Sequence, residues 1–80
     1  MGSFHYIYTY DLKKAEPSKK VRFVYLLKGR RGEKGIIHNL KGKFLAPGCF
    51  IIPEKSDNEI IEIFRMWGIK SQKIKIQLID

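Results

Sequence analysis

The chain has 80 residues, 44% hydrophobic and 12% aromatic, which excludes a disordered protein and predicts a single folded domain over residues 1–80. The longest apolar run, residues 23–27, is too short to cross a membrane, and the lone Cys49 cannot form an internal disulfide. We therefore expect a cytoplasmic protein with no membrane partner. The net charge of +8 is concentrated, because residues 12–43 hold eleven of the sixteen Lys and Arg but only two of the eight acids. This basic block predicts a polyanionic partner, and nucleic acid is the first candidate.

The first predicted element is a strand, because Phe4, Tyr6, Tyr8 and Tyr10 alternate with more polar residues up to Asp11. We expect the tyrosine side of this strand to be buried. An aromatic row on an open sheet face can also stack on bases, which is the alternative interpretation of the same pattern.

A basic amphipathic helix is predicted next, from about residue 18 to 28, with Pro17 in its first turn. Its expected apolar side is broad and consists of Val21, Val24, Tyr25, Phe23, Leu26 and Leu27. Gly29 and Gly32 predict a break after this helix, and residues 36–40 predict a short second one.

Two short strands are predicted around the Pro47-Gly48 turn, over residues 43–46 and 49–52. The lone Cys49 begins the second of them. In an apolar strand pattern a cysteine is a packing residue far more often than a nucleophile, so we expect Cys49 to be structural.

The sequence Ser56-Asp57-Asn58-Glu59 has the form of a capping box and predicts a helix over residues 57–67, ended by Gly68. A last strand over residues 73–78 alternates strictly. We expect its apolar residues to face the core; they are Ile74, Ile76 and Leu78.

The predicted order β-α-β-β-α-β indicates an α+β protein of the ferredoxin-like, split βαβ type. Such a protein has a four-stranded antiparallel sheet with two helices on one face. The other face of the sheet is then open to a second subunit, to RNA bases or to solvent.

The basic side chains of the first helix and the turn after it are predicted to contact a nucleic-acid backbone without recognising base sequence. They are Lys19, Lys20, Arg22, Lys28, Arg30, Arg31 and Lys34. Gly29-Arg30-Arg31-Gly32 also has the G-x-x-G form of the loop with which KH domains clamp a nucleic-acid backbone, so a KH-like RNA-binding module is an alternative. DNA and RNA both remain open.

Several segments together resemble a known family. They are Tyr8-Thr9-Tyr10-Asp11-Leu12, then Arg22-Phe23 and Tyr25-Leu26-Leu27 of the basic helix, and Cys49-Phe50-Ile51-Ile52-Pro53-Glu54. These segments resemble the small CRISPR-associated adaptation protein, the second Cas protein, and its relatives such as virulence-associated protein D. The resemblance implies a ferredoxin-like homodimer in which the two copies of Asp11 face each other as metal ligands, and an activity either as a nuclease or as a DNA-bridging scaffold.

Asp11 is therefore the candidate catalytic and metal-binding residue, with Mg²⁺ or Mn²⁺ as the cofactor of a nuclease. The residues alone favour a different role, in which this carboxylate caps the turn after the strand or pairs with Lys13 or Lys14. Three classes of function remain open: a nucleic-acid-binding module, a metal-dependent nuclease, and a structural or regulatory protein whose basic surface meets an acidic protein partner.

Overall fold

The computed structural model describes residues 2–79, which form one four-stranded antiparallel sheet and three α-helices. The strands are β1 (Gly2–Tyr10), β2 (Lys43–Ala46), β3 (Cys49–Pro53) and β4 (Ser71–Ile79). The helices are α1 (Pro17–Lys28), α2 (Ile36–Asn39) and α3 (Asp57–Trp67), and a 3₁₀ turn, Glu54–Ser56, leads into α3. The predicted α+β class and antiparallel sheet are confirmed.

The strands lie in the order β2-β3-β1-β4, and every neighbouring pair is antiparallel. The two central strands are thus β1 and β3. In this register Tyr8 of β1 lies opposite Phe50 of β3 on one side and opposite Lys73 of β4 on the other. Residues that are cross-strand partners share a face of the sheet, so these three side chains lie on the same face.

The core lies between this face of the sheet and the two long helices. Tyr8 is 2% exposed, and its ring stacks on Phe50 at 5.2 Å and on Phe64 of α3 at 5.8 Å between ring centroids. Phe23 of α1 completes the aromatic cluster, 5.3 Å from Phe64. The prediction that the tyrosine side of β1 is buried is confirmed for Tyr8, while Tyr6 and Tyr10 are half-buried against the same core.

Only a narrow side of α1 is buried, in contrast to the broad apolar side predicted for it. Phe23 and Leu27 are buried, but Val21 is 49% exposed and Tyr25 is 42% exposed. Residues four apart share one side of a helix, so Val21 and Tyr25 form a second apolar stripe away from the sheet. A single sheet face covers one stripe of the helix and leaves the other in solvent.

The bounds of α3 match the prediction, and Gly68 ends it in the left-handed conformation with φ of 65°. The predicted capping box does not form. The Ser56 hydroxyl instead donates a hydrogen bond of 2.9 Å to the carbonyl oxygen of Leu40. The Ser56 side chain therefore links the start of α3 to the end of α2 and does not cap its own helix.

The faces of β4 are the reverse of the prediction. Lys73 and Lys75 lie on the helix side, with their ammonium groups over the rings of Tyr6 and Phe4 at 4.5 Å and 4.7 Å. Ile74 is 66% exposed on the open face. β4 is an edge strand, where lysine stems can cover aromatic rings while the ammonium groups reach outward.

Candidate nucleic-acid interface

The cations of residues 12–43 take part in none of the salt bridges found in the described part of the chain. The salt bridges of residues 2–79 are Arg65–Glu62, Lys73–Asp57 and Lys75–Glu54, and all of them lie outside the basic block. The block contains the loop before α1, α1 itself, the turn after it, α2 and the start of β2. A negatively charged partner that approaches from solvent is therefore attracted by the positive charge of this block.

An exposed aromatic side chain lies among these cations on α1. Arg22 and Lys28 are exposed three residues on either side of Tyr25, and the Arg30 guanidinium lies 4.8 Å from the centroid of its ring. We call Val21, Arg22, Tyr25 and Lys28 the α1 face. An aromatic ring flanked by cations can stack on a base while the cations hold adjacent phosphates. Sequence analysis assigned Tyr25 to the core, although Phe23 and Leu27 already supply a complete buried side.

The tetrapeptide Gly29-Arg30-Arg31-Gly32 forms a tight turn between α1 and α2. The Arg30 and Glu33 backbones exchange hydrogen bonds of 3.1 Å and 3.0 Å, and the two residues between them, Arg31 and Gly32, have φ of 51° and 86°. Two successive positive φ values are typical of a type I′ turn. Both arginines are exposed at its tip.

The base of this turn is closely packed. A Cβ added to Gly35 would overlap the carbonyl oxygen of Leu27 and the backbone nitrogen of Gly29. The backbones on the two sides of the turn thus approach more closely than any side chain allows. Close backbone contacts at the base of the turn therefore hold the segment that contains Arg30 and Arg31.

The structure places the predicted contact residues in different parts of the basic block. Lys20 lines a shallow groove of about 230 Å³ beside Val21, Val24 and Tyr25. Lys28 lies with its ammonium group 5.1 Å from the ring of Phe44, at the end of α1 that carries Arg30, Arg31 and Lys34. Lys19 lies at the opposite end of α1, next to a separate pocket.

This separate pocket, which we call the lysine pocket, has a volume of about 410 Å³. Its walls are the loop between β1 and α1, the first turn of α1 and the connection from α3 to β4. The lining residues are Asp11, Lys13, Lys14, Ala15, Lys19, Gly68, Ile69 and Lys70. Sequence analysis did not include Lys13, Lys14 or Lys70 among the binding residues, and no spacing rule could join Lys70 to Lys13 across more than fifty residues.

Asp11 is exposed, and its Oδ1 accepts a hydrogen bond of 2.9 Å from the backbone N–H of Lys13. This is the turn-capping role that the residues alone favoured. No group of three or more His, Cys, Asp or Glu side chains that could hold a metal ion occurs in the described part of the chain. The single carboxylate of Asp11, in a pocket that four lysines also line, supplies too few oxygen ligands to hold a divalent cation by itself.

The partly buried hydrogen bond of Tyr8 is structural and lies outside the basic block. The Tyr8 phenol donates a hydrogen bond to Asp57, and burial, followed by this hydrogen bond, raises the pKa of Tyr8 well above its ordinary value. Burial also raises the pKa of Tyr10. Both phenols therefore stay protonated at neutral pH and are poor candidates for acid–base chemistry.

Comparison of the chain with models of protein families, with curated protein sequences and with solved structures gave no match. No helix within residues 2–79 has the length and apolar character needed to cross a membrane. The function must therefore be inferred from the geometry of the basic block itself.

Proposed function

We propose that this protein is a nucleic-acid-binding module of the CRISPR-associated adaptation-protein type, which holds a strand by its sugar-phosphate backbone. The observation that carries the proposal is the α1 face and the turn after it. Tyr25 is exposed there beside the Arg30 guanidinium, and no cation of the basic block takes part in a salt bridge of residues 2–79.

The expected mode of binding follows from these groups. Arg22, Arg30 and Arg31 present planar guanidinium groups that suit phosphate oxygens, and Lys28 and Lys34 add point charges. Tyr25 offers its ring to a base, and stacking is tolerant of sequence because every base has a π-face. Such a surface binds tightly at low salt and weakly discriminates one sequence from another.

The sheet topology supports a ferredoxin-like arrangement. In the order β2-β3-β1-β4, β3 lies between β1 and β2, and β1 lies between β3 and β4. Each β-α-β unit is therefore split by a strand of the other unit, as in a split βαβ protein.

The open face of the sheet supports the homodimer. Ile7, Ile51, Ile74, Ile76 and Leu78 share this face by their register. Ile51 is already buried in the single chain, whereas Ile74 is 66% exposed and Leu78 is 39% exposed. Covering this apolar stripe with a second copy would remove it from water. Asp11 follows β1 at the end of the same face, next to Thr9 and Gln72 in a shallow depression.

The alternatives differ in what they require. A KH-like RNA-binding module shares the prediction for Arg30 and Arg31, since their turn lies between two helices. A nuclease requires a second carboxylate from another copy, because a single Asp11 does not fit the metal. An acidic protein partner would use the same cations but would give Tyr25 no base to stack on.

A binding measurement tests the proposal. Fluorescence anisotropy with labelled DNA and RNA oligonucleotides at low salt should show binding, and Arg30→Gln with Arg31→Gln should weaken it. The matched control is Lys55→Gln with Arg65→Gln, which removes the same charge from exposed positions outside the basic block. If both pairs of substitutions weakened binding equally, binding would depend only on the net charge of the protein. That result would contradict the assigned surface.

The tyrosine adds a second arm to the same assay. Tyr25→Leu keeps the apolar stripe and removes the aromatic ring, so it should weaken binding to single strands by at least about fivefold. Met66→Leu, at a side chain that is 80% exposed on α3, is the control and should leave binding unchanged. An unchanged affinity in Tyr25→Leu would exclude stacking at this position.

A further inference from the structure

The lysine pocket is a second cationic site, distinct from the α1 face. Lys13 and Lys14 come from the loop before α1, Lys19 from its first turn, and Lys70 from the connection after α3. Three separate segments of the chain thus bring four lysine residues to the lining of one concavity of about 410 Å³. This volume lies in the range of small-molecule sites.

Backbone hydrogen bonds hold both walls of the pocket. On one wall the N–H of Ala15 donates to the Leu12 carbonyl oxygen at 3.0 Å, and the N–H of Lys13 donates to Asp11 at 2.9 Å. On the other wall the N–H of Ile69 donates to the Phe64 carbonyl oxygen at 3.1 Å, and the Ile69 side chain is buried. The pocket therefore exists before any ligand arrives.

The charge of the pocket is positive, because four lysines and one acid line it. Asp11 is its single acid, and Oδ1 of that carboxylate already accepts a backbone hydrogen bond. None of the four lysines forms a salt bridge within residues 2–79. Lys19 reaches across the pocket, because its Nζ lies 4.0 Å from the point where a Cβ on Gly68 would be. Four like charges repel one another here, and a bound anion would relieve that repulsion.

We propose that the lysine pocket binds a phosphate monoester, the doubly charged phosphate at the end of a nucleic-acid strand. A terminal phosphate carries more charge than a phosphodiester and presents three oxygens to the surrounding ammonium groups. α1 spans about 18 Å between the pocket and the turn at residues 29–32, so a strand that begins in the pocket can continue along the α1 face. The strand in this proposal rests on the proposed function, whereas the phosphate chemistry of the pocket does not.

The test compares oligonucleotides of one sequence with a phosphate or a hydroxyl at the 5′ or the 3′ end. The wild-type protein should bind one phosphorylated form about tenfold more tightly than the matching hydroxyl form. Lys13→Gln with Lys70→Gln should abolish this ratio. Arg30→Gln with Arg31→Gln should weaken both forms and keep the ratio.

A second measurement separates the pocket from the strand. Inorganic phosphate is titrated into ¹⁵N-labelled protein, and the amide resonances of residues 13–15 and 68–70 are followed. If no oligonucleotide binds but phosphate shifts these resonances, the proposed function fails and the pocket is a site for free phosphate compounds. If oligonucleotides bind without preference for a terminal phosphate, or if phosphate leaves these resonances unmoved, the proposal is overturned.

Discussion

The ammonium group of Lys73 lies 2.7 Å from Oδ2 of Asp57 and joins the edge strand β4 to the first turn of α3. The other oxygen of the same carboxylate accepts a hydrogen bond from the phenol of Tyr8 on the central strand β1. One aspartate thus ties two strands and a helix together. Asp57 also lies at the N-terminus of α3, where the helix dipole favours a negative charge.

The two partners of Asp57 should contribute unequally to stability. Tyr8→Phe leaves a partly buried carboxylate oxygen without its donor and should lower the free energy of unfolding by about 1–2 kcal/mol. Lys73→Met keeps the apolar stem over Tyr6 and removes a partly exposed ion pair, so it should cost less than about 1 kcal/mol. Urea denaturation of both variants measures the difference. If Lys73→Met lowered the free energy of unfolding more than Tyr8→Phe, the ion pair would contribute more to stability than the phenol hydrogen bond.

Alkaline pH should destabilise the fold through Tyr8. Burial and the hydrogen bond to Asp57 raise the pKa of Tyr8, so the unfolded chain loses this phenol proton at about pH 10, while the folded chain retains it. Above that pH the unfolded state binds fewer protons than the folded state, and the free energy of unfolding falls. The contribution of Tyr8 is fully present below about pH 10 and is lost as the pH rises further.

Urea unfolding at about pH 9 and about pH 11 tests this dependence. The wild type should lose more stability between the two conditions than Tyr8→Phe does. Some dependence should remain in the variant, because burial also raises the pKa of Tyr10. Identical losses in the two proteins would refute the assignment to Tyr8.

Two glycines of the turn after α1 should respond differently to alanine. Gly32 has φ of 86° but open space around it, so Gly32→Ala should cost about 1 kcal/mol from the left-handed backbone alone. At Gly35 the added Cβ would overlap backbone atoms of Leu27 and Gly29, which cannot move without opening the turn. Gly35→Ala should therefore cost more than about 2 kcal/mol. If urea denaturation gave the same loss of unfolding free energy for both variants, the backbone at the base of the turn would be able to move and accommodate the added Cβ.

The open sheet face should mediate self-association. Ile74→Lys places a charge in the exposed apolar stripe and should weaken dimerisation at least about tenfold, because the ammonium group would have to be desolvated. Met66→Lys makes the same chemical change on α3, at a side chain that is 80% exposed, and serves as the control. Sedimentation equilibrium over a range of concentrations measures the effect. A wild-type protein that stays monomeric throughout that range would contradict the proposed homodimer.

Local signals in the sequence were sufficient for most of the secondary structure. The bounds of α3 match the prediction and Gly68 ends the helix as expected, and β4 is a strand as predicted. The capping hydrogen bond expected of Ser56 was not predictable, since its actual acceptor is the carbonyl oxygen of Leu40, sixteen residues away.

The face of β4 that packs on the core and the residues that meet in the lysine pocket depend on long-range contacts, which local sequence patterns do not determine. An alternating strand has two faces, and only the pairing of Tyr8 with Lys73 places the β4 lysines on the helix side. The same limit applies to the candidate site. The basic block was visible as a run of charge, but the lysine pocket needed the tertiary approach of Lys70 to Lys13.

The central claim is that the cations of residues 12–43 hold a phosphate backbone, and salt dependence tests it most directly. If about six phosphates are contacted, a plot of log affinity for duplex DNA against log salt concentration should have a slope near −5. Arg30→Gln with Arg31→Gln should flatten this slope by about 2, and Lys55→Gln with Arg65→Gln should leave it unchanged. No measurable binding to DNA or RNA at low salt, or binding whose slope is near zero, would contradict the account.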